Sequence, residues 1–77
     1  MAITDLDYAI LITYRNYAKA KGYSPDIGTV AHKLSRVKSH IHGRLVQLQA
    51  AGLMTHVPYT ARTWRLTWEG EKMVKEG

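Results

Sequence analysis

The feature that most constrains this chain is a change of period at Gly52. From Leu6 to Leu48 the apolar residues recur three or four positions apart. Beyond Gly52 the pattern alternates, with Leu53, Thr55 and Val57 set against Met54 and His56. The first spacing suits one face of a helix and the second suits one face of a strand. A chain that switches once in this way builds helices first and a hairpin later.

The helical part divides at its turn signals. Leu6, Ile10, Leu11, Tyr14, Tyr17 and Ala18 predict a helix over residues 5 to 21. Thr4 or Asp5 caps it, Asp5 and Asp7 suit the positive end of its dipole, and Lys19, Lys21 and Gly22 close it. Tyr8 and Ile12 lie off the main stripe, where they either widen the buried face or meet a partner. Pro25 biases Ser24 away from helix, and Asp26 then caps a short second helix. Its stripe is Ile27, Val30, Ala31 and Leu34, and it ends near Leu34 or Ser35. A tight connection leads to a third helix from about Ser39, its expected cap, to Ala51, with Ile41, Leu45 and Leu48 inward and Gly52 just past its end.

The remainder reads as a strand over residues 53 to 57, a reversal at 60 to 62, a second strand over 63 to 68, and a last helix capped by Thr67. Pro58 marks the far end of the first strand as an edge or turn entry. Tyr59, Trp64 and Trp68 gather there, and either tryptophan suits the core. The order helix-helix-helix-strand-strand-helix describes a small α+β domain, a winged helix-turn-helix spanning residues 1 to 77.

Charge then points outward. The net charge is +5, and no acid occurs between Asp26 and Glu69, whereas Lys33, Arg36, Lys38, Arg44, Arg62 and Arg65 all lie there. Such a window gives a positive surface suited to a polyanion. Other classes find little support. With no cysteine, disulfides and thiolate metal sites are excluded. His40 and His42 point about 200° apart on a helix and cannot share a metal. There is no glycine-rich phosphate loop and no Cys/His pair, so we expect neither an enzyme nor a cofactor. No apolar run reaches the ~20 residues of a membrane span, and the acidic start is unlike a signal peptide, so a cytoplasmic protein, nucleoid-associated when bound to DNA, is expected.

The third helix carries the candidate site. With Ile41 inward, Leu45 and Leu48 fall within about 40° of it. Ser39, Gly43, Val46 and Ala50 point roughly opposite, flanked by His40 and Gln47 on one shoulder and His42 on the other. Serine and glycine permit close approach to a groove floor. Histidine and glutamine can donate to base edges or phosphates, and Val46 can meet a thymine methyl group. Gly43 costs about 1 kcal/mol against alanine in an exposed helix, a cost better understood if something packs on it. Arg36 and Lys38 suit phosphates. Arg44 lies beside the apolar stripe, where it either packs on the second helix or reaches the DNA backbone. Arg62 and Thr60 fall at the expected wing tip, where a basic side chain can enter a minor groove; for Thr60 a plain exposed turn is an equal reading. Arg65 faces solvent on the wing, and Thr29 is a further, weaker candidate near the start of the second helix.

The residues also carry a resemblance. "ILITYRNYAKAKGYSPDIGTVAHKL" resembles the start of the LexA-type DNA-binding domain in its apolar pattern, its "GYSP" loop at 22 to 25 and its "IGTVAHKL" second helix. Leu34, Ile41, Leu48 and the pair Gly52 and Leu53 have spacing similar to MarR-type winged helices, and "RLTWEG" is similar to the segment that closes many wing hairpins. The resemblance spans roughly residues 6 to 70 and does not include the self-cleaving domain of LexA. Two departures stand out: the turn after the second helix is one residue shorter, and Ser35 replaces the usual glycine. The resemblance implies that the third helix enters the major groove as a recognition helix.

The expected function is therefore sequence-specific binding of double-stranded DNA by a transcriptional regulator. A homodimer on a palindromic site fits so small a module, with Tyr8 and Ile12 or Met73 and Val74 as interface candidates. The alternative is a winged-helix protein-interaction module that binds a polymerase or other host protein. An RNA-binding winged helix is a third reading.

Overall fold

The computed structural model describes residues 3–57 and 64–76. Its order is the expected one: α1 (Asp5–Lys21), α2 (Ile27–Leu34), α3 (Lys38–Ala50), β1 (Met54–His56), β2 (Trp64–Leu66) and α4 (Trp68–Glu76). The expected reversal, with Pro58, Tyr59, Thr60 and Arg62, lies outside the described residues.

Each boundary has a local cause. Thr4 rather than Asp5 caps α1, through a reciprocal pair: the Asp7 amide donates to Thr4 Oγ1 at 3.0 Å and the Thr4 amide donates to Asp7 Oδ2 at 3.2 Å. Gly22, at φ 83°, ends it by donating to the Ala18 carbonyl. At the start of α2 the Thr29 amide donates to Asp26 Oδ1 at 2.7 Å. Helix α2 stops at Ser35, whose backbone is left-handed with φ 55°. There the Arg36 amide donates to the Ala31 carbonyl and the Ser35 amide to that of His32, the paired closure in which glycine is the usual residue.

Helix α3 departs from expectation at its first residue. It starts at Lys38, and its cap position is Val37, which offers no side-chain hydrogen bond. Ser39 is therefore inside the helix and is not its cap. At the other end Gly52 and Leu53 repeat the paired closure, donating to the Gln49 and Leu48 carbonyls. This turn still holds Leu53, so the strand alternation begins one residue later than the sequence pattern suggests. Leu53 and Met54 are both buried, and Thr55 is the first residue to face out.

The two strands are antiparallel, with Met54 opposite Leu66, Thr55 opposite Arg65 and His56 opposite Trp64. Both are three residues long, shorter than the alternation predicted. Thr67 then does two jobs. Its hydroxyl donates to the Gly52 carbonyl at 2.6 Å and accepts from the Gly70 amide at 3.1 Å, which caps α4. Here α4 crosses directly over the Leu53 backbone. A Cβ at position 70 would collide with the Leu53 carbonyl, so only glycine fits.

The core draws on every element: Ile10, Leu11 and Tyr14 from α1, Val30 and Ala31 from α2, Ile41, Leu45 and Leu48 from α3, then Leu53, Met54, Trp64 and Val74. Tyr8, Ile12 and Met73 pack half-buried against it. Of the four positions expected to serve a dimer, Val74 belongs to the core and Tyr8, Ile12 and Met73 leave part of their surface in solvent. Of the two tryptophans, Trp64 is the core residue, and Trp68 is 73% exposed. No helix among the described residues is long and apolar enough to cross a membrane.

Candidate nucleic-acid interface

The helical wheel of α3 translates into burial as expected. Ile41, Leu45 and Leu48 are fully buried. Ser39, His40, His42, Gly43, Val46, Gln47 and Ala50 are all exposed, and no acid lies among them. Val46 leaves 42% of its surface in solvent, an unusual exposure for an aliphatic side chain on a helix. Around Gly43 the space is open: a Cβ there would meet no neighbouring atom within 4 Å. Among the described residues nothing requires a glycine at this position.

The start of α3 adds positive character. Arg36 and Lys38 are exposed, and the first turn has neither an acid nor a capping side chain. Unclaimed amide groups at a helix start carry a partial positive charge and attract anions. The Lys38 stem runs back past the start of α2, with its Cδ 3.9 Å from where a Cβ on Gly28 would sit. This brings it to the end of α2 that holds Thr29, a half-buried residue whose amide is taken by Asp26. Asp26 brings a negative charge to this end of α2, where it acts as the helix cap.

Arg44 is engaged within the fold, on α1, while its side chain stays 29% exposed. Its Nε donates to Asp7 Oδ1 at 2.7 Å and its Nη2 to Asp7 Oδ2 at 2.8 Å. Asp7 is fully buried in α1. The two planar groups meet as a fork on a carboxylate, the strongest geometry available to an arginine. The Arg44 hydrogen bonds hold the Asp7 carboxyl below its ordinary value of 3.8 against the opposing effect of burial, with Thr4 assisting. Arg44 is therefore a strut between α1 and α3. Sequence spacing offered no sign of this pair, since its members lie 37 residues apart.

His42 is also partly engaged. Its ring stands edge-on to Trp64, with centroids 6.2 Å apart and planes at 80°, and His56 lies against the same indole at 4.8 Å. His42 thus sits at the seam between α3 and the hairpin while remaining exposed. Arg65 lies elsewhere. It borders a recess of about 260 Å³ with Arg15, Tyr23 and Glu71, to which α3 contributes no residue. Arg36, Lys38, Ser39, His40, His42, Gly43, Val46 and Gln47 are thus all exposed on α3 or the turn that leads into it, whereas Arg44 is held by Asp7 and Arg65 borders a recess to which α3 contributes no residue. Arg62 and Thr60 lie outside the described residues.

Among the described residues no cluster of histidine and acid side chains could hold a metal ion. A scan of the chain against protein-family models returned no match, and searches of curated proteins and of solved structures returned none either.

Proposed function

We propose that the chain binds double-stranded DNA, with α3 laid in the major groove, and acts as a transcriptional regulator. The observation that carries this reading is the outward face of α3. It is exposed along its length, free of acids and small at its centre, where a side chain at Gly43 would touch none of the described residues. A solvated helix face gains stability from Glu/Lys pairs at i, i+4 and loses it to glycine. This face lacks the pairs and carries the glycine, which fits a surface shaped for something that approaches closely. Gln47, His40 and Ser39 bring donors to base edges, and Arg36 and Lys38 flank them for phosphates. The helix order and hairpin support a winged helix-turn-helix, the architecture that presents a third helix in this way.

Selection of bound duplexes from a random library, followed by titration at several salt concentrations, tests the reading. Log affinity should fall steeply and linearly with log salt. Replacing Arg36 and Lys38 together by alanine should weaken binding to all sequences alike and reduce the magnitude of that slope by about 2. Replacing Gln47 should change preference at particular base positions. No duplex binding at low salt would overturn the proposal and favour a protein partner.

A further inference from the structure

Among the described residues the largest apolar group left in solvent is the indole of Trp68, at the start of α4. Val74 and Gly70 turn this helix onto the core, so the face it shows outward is Trp68, Glu71, Lys72 and Lys75. Lys72 already lies over the indole, its Nζ 5.2 Å from the ring centroid. Acids occupy the first turn, Glu69 and Glu71, and Lys75 the last.

We propose that this face binds its counterpart on a second copy of the chain, the two α4 helices lying antiparallel about a two-fold axis. The sequence of the face supplies the complementarity. With the axis between positions 71 and 72, Trp68 falls opposite Lys75 of the second copy and Glu71 opposite Lys72. Each contact then occurs twice, as a two-fold interface requires. The ammonium of Lys75 meets the face of the indole, and each carboxylate meets an ammonium. A parallel arrangement would set acid against acid and lysine against lysine. Antiparallel packing also opposes the two helix dipoles. The second copy is thus the partner whose charges this face matches.

The size of the face fixes the strength. A nine-residue helix is roughly 13 Å long, too short for the ~800 Å² per partner of a standard interface. The pair therefore forms weakly in free solution and more readily when two copies are held side by side. Trp68, Glu71, Lys72 and Lys75 are all exposed, so their variants keep the fold, which circular dichroism checks.

Sedimentation equilibrium of the full chain at low salt and without DNA tests this apart from the DNA reading. The apparent mass should rise toward the dimer at concentrations below about 1 mM. Trp68→Ala should weaken association by about tenfold or more. Glu71→Lys alone should weaken it by roughly fivefold, and Glu71→Lys combined with Lys72→Glu should restore it, because the swapped pair is again complementary. A chain that stays monomeric up to about 1 mM, or a dimer indifferent to Trp68→Ala, would overturn the proposal. So would a swapped pair no better than the single reversal.

Discussion

Gly70 and Gly43 are both glycines inside helices, and they differ in what surrounds them. At position 70 a side chain would strike the Leu53 carbonyl, because α4 crosses the chain there. At position 43 a side chain would meet none of the described residues. The first glycine is accounted for by the fold. The second costs helix stability with no return among the described residues, and so directs attention to what approaches the helix from outside. The same contrast separates two cations of α3: Arg44 is held by a buried carboxylate, and Lys38 is exposed at a helix start with no capping side chain. A residue's type alone does not distinguish these cases; its surroundings do.

That contrast can be broken at the inward positions first. Gly70→Ala should cost about 3 kcal/mol, since the obstacle is backbone and cannot swing aside. Chemical denaturation reads this, and a loss below about 0.5 kcal/mol would mean that α4 crosses elsewhere. Asp7→Ala removes both the capping box of α1 and the partner of Arg44, and should cost about 2–3 kcal/mol. The pair also predicts a pH dependence. The folded-state carboxyl titrates below its unfolded value, so its contribution is complete above that value and disappears as pH falls through the folded one. Stability of the wild type should therefore decline from about pH 4 downward, and Asp7→Asn should decline less over the same range.

Smaller effects sharpen the comparison. The Tyr14 hydroxyl is buried with no hydrogen-bond partner among the described residues, and burial raises its pKa. Tyr14→Phe should therefore be neutral or stabilising by up to about 1 kcal/mol in thermal unfolding. A marked loss would reveal a partner for that hydroxyl. Ser35→Gly relieves a left-handed serine and should stabilise by roughly 0.5 kcal/mol, the gain being reduced by the greater freedom of glycine in the unfolded chain.

Much of the architecture was legible in the sequence because it rests on local signals. Thr4, Gly22, Asp26, Gly52 and Thr67 each start or end a helix through bonds to residues only a few positions away, and all five were found at helix ends. The start of α3 was misread because a serine near a helix start is a good cap by type, yet the chain entered the helix through Val37, two residues before the expected cap. The outward face of α3 followed from its period alone. What the sequence hid was long-range: Arg44 with Asp7, His42 against Trp64, and the Gly70 crossing each depend on elements brought together by folding. The choice between Trp64 and Trp68 was of the same kind. Spacing placed both near the core, and only the cross-strand register and the start of α4 separated them.

If the outer face of α3 meets a DNA groove at Gly43, as proposed, Gly43→Ala should change stability and affinity in opposite directions. Thermal unfolding and duplex affinity should be measured on the same variant, with a duplex selected by the wild type. The added methyl finds open space, so the account predicts a gain of about 1 kcal/mol in stability. It also predicts a loss of roughly tenfold in affinity as the helix is held away from the groove floor. A variant that is more stable and binds the duplex as tightly as before would contradict it.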